Sequence, residues 1–308
     1  MKDEIIVFIR DLREKGLSFR EIAKQIEEHF SVKYSVNYLR KIYFKKLKNL
    51  SSEQVEGITY VRFTANDSEL SIIPVADLHL KTKEEAEKAL AEIKKVADKK
   101  TYFLFLGDII QLDIAKPANV FNSNPMQNLE ALLFFADALK GKTIAIVTGN
   151  HEDRLNRQAG VDISALISSL FGIPYASSSA LIDICFNDAR KTIYALHGTT
   201  AAQRVGGKLN RLEDLERVCD ADIYLQAHTH LPAIFYRDRF FSNGYGIRRK
   251  KLLFVSVPSL QNYEPYAAKR GYAPFPKQLF KISLNQYEAS VHPVYASAEA
   301  YEDFQKII

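Results

Sequence analysis

Apolar positions change their period once along this 308-residue chain. In the first fifty residues they recur every three to four positions: Ile5, Ile6, Phe8, Ile9 and Leu12, then Ile22, Ala23 and Ile26, then Val36, Leu39, Ile42, Tyr43 and Leu47. That period predicts three short helices, because positions three and four apart share a helix face. Gly16 ends the first, Ser18 with Glu21 forms a capping box for the second, and Ser35 caps the third. Two helices joined by a short turn, the second strongly basic, make the arrangement of a helix-turn-helix. The polar stretch ending at Gly57 reads as a linker. The expected organisation is therefore a small all-α unit over residues 1–50, a linker over 51–57 and a second domain over 58–308.

Beyond residue 58 short apolar runs replace the helical period, at 70–75, 102–106, 143–147, 191–196, 222–226 and 251–257. Helical stretches at 83–99 and 128–139 separate the first three. Runs that are apolar at every position fit strands buried on both faces, and strands alternating with helices fit an α/β sandwich.

Charge sharpens this division. Residues 1–50 hold 12 Lys+Arg against 7 Asp+Glu, which is the whole net charge of +5, and the other 258 residues hold 30 of each sign. Between Lys33 and Asn49 lie Lys33, Arg40, Lys41, Lys45, Lys46 and Lys48 with no acid. Such a block points to a polyanion partner, nucleic acid first, with Arg40, Lys41, Lys45, Lys46 and Lys48 as its contacts; its plainer reading is a solvated lysine face. No apolar run approaches the roughly 20 residues that span a bilayer, and acids interrupt the apolar stretch at the N-terminus, so neither a membrane span nor a signal peptide is expected. Two cysteines, Cys185 and Cys219, fit buried filler in a reducing, cytoplasmic compartment.

The candidate chemistry follows the strands. Five of the seven histidines lie just after apolar runs, in Asp77-Leu-His79, Gly149-Asn150-His151-Glu152, Leu196-His197-Gly198 and His228-Thr-His230, while Gly107-Asp108 follows another. Sites in open α/β sheets form where loops leave the carboxyl ends of strands. Imidazole nitrogens with carboxylate oxygens suit zinc, iron or manganese. In an extended segment residues two apart point the same way, so D-x-H and H-x-H can each serve one ion. Asp108 has two oxygens to share between ions, Asn150 offers an amide oxygen, and Gly107 and Gly149 permit tight turns. Any one fragment is as readily a turn or a packed histidine; five in order on five strand ends are not.

That order, D-x-H, G-D, G-N-H-E, H-G and x-H-T-H over residues 70–260, resembles the calcineurin-like metallophosphoesterase superfamily. The resemblance implies a four-layer sandwich of two mixed β-sheets flanked by helices, with metals at one end. It implies Asp77, His79, Asp108 and His230 around one divalent ion and Asp108, Asn150, His197 and His228 around another. His151 becomes the unliganded catalytic histidine that assists the leaving group. Two ions about 3.5–4 Å apart lower the pKa of a shared water, and the hydroxide bridging them attacks phosphorus. Manganese is the expected metal; iron, zinc, nickel and magnesium suit the same donors. The chain departs from the family at Gln111, where GDxxD is frequent, so a polar contact expected there falls to Gln111 or Asp113. Ala227 replaces the usual glycine before H-T-H. The arginine pattern of the protein phosphatases is absent, which argues against a phosphoprotein substrate.

Arg154 and Arg157 are candidate phosphate clamps or, equally, a solvated helix face. The segment from Pro258 to Tyr272 mixes aromatics and cations, so Tyr266, Lys269 and Arg270 are candidates to stack bases and hold phosphates, unless the loop packs across the sandwich. A helix-turn-helix joined to this catalytic domain resembles phage- and mobile-element-type proteins. The expectation is a nuclease-like phosphodiesterase acting on DNA. The alternative is a small-molecule phosphatase or phosphodiesterase whose N-terminal helices serve homo-oligomerisation.

Overall fold

The structure, a computed structural model, describes residues 5, 8, 9, 12, 17–36, 38, 39, 50–65, 67–112, 124–186, 189–199, 202, 204–242, 246–261, 269, 271 and 274–295. Within the first fifty, one full helix is described, α1 (Phe19–Phe30). Ser18 Oγ accepts the Glu21 N–H while the Glu21 carboxylate accepts the Ser18 N–H, which is the predicted capping box. Residues 5, 8, 9 and 12 and residues 36, 38 and 39 are also helical. Ile5, Ile9, Leu12, Phe19, Ile22, Ile26 and Leu39 bury against one another, so the apolar stripes read from the sequence form one small core. Arg40, Lys41, Lys45, Lys46 and Lys48 lie outside the described residues, and a complete helix-turn-helix is not established by the rest.

The expected linker is in part a strand. β1 (Leu50–Val55) pairs antiparallel with β2 (Ile58–Thr64) through a two-residue turn in which Glu56 and Gly57 both have positive φ, 47° and 87°. Backbone hydrogen bonds hold this edge strand, and Ser52, Glu53 and Gln54 are exposed, so it leaves no apolar pattern to read.

The remaining elements are β3 (Glu69–Val75), α2 (Lys83–Val96), β4 (Thr101–Phe105), α3 (Pro125–Leu139), β5 (Thr143–Val147), α4 (Asn150–Ala159), α5 (Ile163–Phe171), β6 (Tyr175–Ala176), β7 (Ser179–Phe186), β8 (Ala189–Leu196), α6 (Val205–Glu213), β9 (Ile223–Gln226), β10 (Ala233–Ser242), β11 (Ile247–Ser256), β12 (Gln278–Asn285) and β13 (Ala289–Tyr295). They build a seven-stranded sheet, β1-β2-β7-β8-β9-β11-β10, and a six-stranded sheet, β13-β12-β3-β4-β5-β6. Leu70, Ile72, Leu104 and Val147 of the smaller sheet bury against Ile182, Ile193, Leu225 and Val255 of the larger. Alternate residues of the same strands, Ile73, Val75, Phe103 and Phe105, pack outward on α2, α3 and α5. Tyr224 and Phe254 of the larger sheet pack outward with Leu212 and Leu215 at α6. This is the expected pair of mixed sheets flanked by helices, and burial of both strand faces explains the unbroken apolar runs. β3, β4 and β5 run parallel, as do β8 and β9, so their carboxyl ends share an edge within each sheet.

Candidate metal centre

Beyond the last pairs of β3 and β4 the two chains stay in register: Asp77 N–H donates to Gly107 O (3.0 Å), His79 N–H to Asp108 O (3.0 Å) and Leu80 N–H to Ile109 O (2.9 Å). Leu78 and Leu80 sink into the apolar core, which turns Asp77 and His79 to the other side. The shared orientation of each i, i+2 pair does not come from an extended backbone, as expected, but from a left-handed one. Asp77, His79, Asp108, His228 and His230 have φ of 51°, 49°, 52°, 65° and 53°, and they are five of the seven non-glycine residues with positive φ among the described residues. That conformation costs about 1–2 kcal/mol per residue for side chains other than glycine, and such strain collects at functional sites. Gly107 and Gly149 interlock behind them. A Cβ on Gly107 would lie 2.3 Å from the Gly149 nitrogen, and one on Gly149 would lie 2.1 Å from the Asp108 nitrogen, so only glycine lets β4 and β5 deliver their loops this closely.

Donor atoms converge in two overlapping groups. In the first, Asp77 Oδ1 lies 3.4 Å from His230 Nε2 and 4.0 Å from His79 Nε2, and the two Nε2 atoms are 3.4 Å apart. In the second, His197 Nε2 lies 3.3 Å from Asp108 Oδ2, 3.0 Å from Asn150 Oδ1 and 3.2 Å from His228 Nδ1. Asp108 also groups with His79 and His151, so its carboxylate faces both clusters. Two ligand atoms about 2.1 Å from one ion, at angles of about 90–110°, lie about 3.0–3.4 Å apart, which is the spacing of five of these six pairs. Asp77 is fully buried, yet its Oδ1 makes no hydrogen bond among the described residues, nor does His79 Nδ1. A buried carboxylate oxygen left without a donor costs free energy unless a cation satisfies it, so the residues present fit divalent ions.

The electrostatics agree. Burial opposes the Asp77 charge, but His230 and His197 hold its pKa below the ordinary value, and Asp108 is likewise held far down by His197 despite its burial. Burial pulls His197 down too, but Asp108 and Asp77 outweigh it and push the imidazole up to about 9. His79, desolvated between other histidines, falls to about 3 and stays neutral, which leaves a lone pair to donate. The proton held on His197 thus offsets buried carboxylate charge, and the same carboxylates shift His230 upward, marking a place where positive charge is favoured.

Surrounding groups fix these side chains. His197 Nδ1–H donates to Leu106 O (2.7 Å), which turns Nε2 toward the cluster. Asp108 Oδ1 accepts the His151 N–H (2.8 Å), and Asp77 Oδ2 accepts the His228 N–H (2.9 Å). His151 Nδ1 accepts the Leu112 N–H (3.4 Å), which puts the ring proton of the neutral form on Nε2, 3.9 Å from Asp108 Oδ2. Arg154 Nη1 donates to Leu112 O (2.9 Å), so one residue positions both. Arg157 pairs along its helix with Asp153 (2.9 Å) and is 67% exposed, as a solvated face would be. Lys269 is exposed; Tyr266, Arg270 and Asp113 lie outside the described residues, and Gln111 N–H donates to Leu80 O (3.0 Å).

Three contributors had no role in the sequence reading. Glu152, buried, accepts N–H bonds from Asp108 (2.8 Å), Ile109 (2.8 Å), Ile110 (3.3 Å) and Gly149 (3.2 Å), so it shapes the Asp108 loop. Its place in G-N-H-E was visible, but three of its four partners are backbone groups about forty positions away. Ser259 Oγ donates to Asp77 O (2.5 Å), and Leu260 packs on the outer core, so the start of the 258–272 segment packs across the sandwich. Lys208 Nζ, its pKa lowered by burial, donates to Thr229 O (3.0 Å) between the two histidines of H-T-H.

Solved structures match the chain at low identity. A metallophosphoesterase from Sphaerobacter thermophilus is 12% identical over 77% of this chain and 94% of its own, with a TM-score of 0.38. Vacuolar Protein Sorting 29 from Cryptosporidium parvum is 16% identical over 74% and 97%, with a TM-score of 0.40. Zinc-complexed Vps29 from Entamoeba histolytica is 13% identical over 74% and 100%, with a TM-score of 0.35. No curated protein matches the chain in sequence. The sequence model of the calcineurin-like phosphoesterases matches residues 70–232, more than half the chain and the span that carries every converging ligand. The chain belongs to the calcineurin-like phosphoesterase family.

Proposed function

We propose that this protein is a metal-dependent phosphodiesterase that cuts nucleic acid, with DNA as its substrate. The observation that carries the hydrolytic half is the gathering of Asp77, His79, Asp108, Asn150, His197, His228 and His230 from both sheets at ligand-like spacings, with a buried carboxylate oxygen that accepts no hydrogen bond among the described residues. Asp77, His79 and His230 would hold one ion, Asn150, His197 and His228 a second, and Asp108 both; manganese is the proposed metal. Divalent ions bound there supply Lewis-acid stabilisation of phosphoryl oxygens and an activated water. The chain's own part is to orient the ester and move a proton. His151, with its proton on Nε2, donates to the leaving oxygen, and Arg154, fixed beside it through Leu112, holds a phosphoryl oxygen.

The nucleic-acid half rests on charge. The whole net charge of +5 falls in the first fifty residues, and the residues after them are balanced. A helix-turn-helix over 1–50 would set Arg40, Lys41, Lys45, Lys46 and Lys48 against the phosphate backbone. The reading also places the protein in the cytoplasm; among the described residues no helix is long and apolar enough to cross a membrane.

A manganese-supplemented assay on single-stranded DNA, duplex DNA and bis(p-nitrophenyl) phosphate tests both halves. Cleavage of DNA is expected, with DNA retention that weakens steeply as salt rises and drops when Lys41, Lys45 and Lys46 are changed to Glu. Hydrolysis of the small ester alone, with no salt-sensitive DNA binding, would instead favour a small-molecule phosphoesterase with N-terminal helices that serve association. Activity on none of the three would remove the enzymatic reading.

A further inference from the structure

We infer that the cleft between α6 and the loop after His197 binds the phosphate next to the one being cut, with Arg211 as its clamp. This deepens the nucleic-acid reading and rests on it. The cleft has a volume of about 680 Å³ and is lined by Thr199, Gly207, Asn210, Arg211, Asp214 and His228. That size falls in the range of about 300–1,000 Å³ that takes small ligands. His228 belongs to the metal cluster, so whatever fills the cleft is continuous with the ester at the centre.

Gly207, Asn210, Arg211 and Asp214 are spaced i, i+3, i+4 and i+7 and form one face of α6 and its continuation, while Leu212 is buried in the core behind. The face turned to the cleft is polar, and Asn210 and Arg211 on it are exposed and open to a ligand. Arg211 makes no ion pair among the described residues, and Asp214 is engaged with Arg217 at 3.2 Å. An unneutralised guanidinium beside hydroxyl and amide groups recognises phosphate oxygens, which it grips bidentately. The cleft wall is fixed relative to the ligands, because Lys208 on the same helix bonds the Thr229 carbonyl between His228 and His230. An ester with a single phosphorus leaves Arg211 unused; a polynucleotide brings a second phosphate to it.

Two esters that both release p-nitrophenol test this: thymidine 5′-(p-nitrophenyl phosphate) with and without a 3′-phosphate, hydrolysed in manganese. The added phosphate should lower KM about 10-fold in the wild type, the size of one charge-assisted contact, with little change in kcat. Arg211→Ala should erase that ratio and Arg211→Lys should keep part of it, whereas Arg249→Ala, an equal loss of charge on the β10–β11 hairpin, should leave it as in the wild type. Equal KM values for the two esters in the wild type, or a ratio that survives Arg211→Ala, would overturn the subsite while leaving the phosphodiesterase reading in place. A parallel measurement needs no catalysis: calorimetric binding of thymidine 3′,5′-bisphosphate in EDTA should weaken about 10-fold in Arg211→Ala. If the wild type hydrolyses neither ester, the reading of the centre fails, and unchanged bisphosphate binding in that variant would then overturn the subsite on its own.

Discussion

Asp108 and His151 are neighbours with separable duties, and substitution divides them. Asp108→Asn keeps the shape but loses the charge shared by both clusters; turnover and bound manganese should each fall at least about 100-fold, read by steady-state kinetics and metal analysis. His151→Ala should cut kcat by about 10²–10⁴-fold with metal content unchanged, which follows from its proposed role as a proton donor rather than a ligand. Normal turnover with full metal in the Asp108 variant would refute the ligand assignment. Glu152→Gln replaces a double acceptor with a group that donates on one side, toward backbone N–H groups that are themselves donors. It should destabilise the protein by about 1–3 kcal/mol in denaturant titration and weaken metal binding. At this scale the converging donor residues were legible because their chemistry is in the side chain and their spacing is local. The left-handed backbone at Asp77, His79, Asp108, His228 and His230 was not, since nothing in Asp or His announces positive φ.

Among elements, the runs apolar at nearly every position were read closely, whereas β7 and β12, which also bury a face but interrupt it with polar residues, and the edge strand β1 were missed. β5 matches the predicted 143–147, and α3 starts three residues before the predicted 128 because Asn124 caps it and Pro125 opens it. α2 stops at Val96 instead of continuing to 99: Ala97 leaves the helix, and Asp98 takes up the Lys100 N–H, the Thr101 hydroxyl and the Lys281 ammonium. β1 escaped notice because an edge strand is held by its ladder alone. The Asp98 turn joins α2, β4 and β12, and the hydrogen bond from Lys281 leads the groups that hold its carboxyl down to about 2. A folded-state pKa below the ordinary 3.8 means the contact stabilises above that value and is lost as pH falls toward about 2. Asp98→Asn should accordingly flatten the acid limb of a stability-versus-pH curve over that window; an unchanged limb would show the contact to be idle.

At the level of the whole molecule the chain divides into a cationic start and a charge-balanced remainder, which composition alone reveals. The sandwich was legible from apolar runs, but the order of its thirteen described strands was not, because pairing partners lie far apart in sequence: β2 joins β7, and β12 joins β3. Ions that bind only the folded centre stabilise it by mass action, about 2.7 kcal/mol at a hundred times Kd. For a domain of this size that corresponds to a rise in Tm of about 5–10 °C. Manganese should produce this shift, EDTA should reverse it, and Asp108→Asn should abolish it.

Asp77, His79, Asp108 and Asn150 extend from β3, β4 and β5, whereas His197, His228 and His230 extend from β8 and β9, on the opposite leaf. A cation seated among them would therefore span the sandwich and act as a rivet between halves that also meet through apolar packing and through the hydrogen bonds of His197 to Leu106 O and of His228 to Asp77. Sliding one leaf past the other by a single rung, about 3.3 Å, would exceed the tolerance of any coordination sphere. Loading the centre thus reports on the alignment of the entire fold, and hydrolysis is confined to molecules whose two leaves have docked correctly.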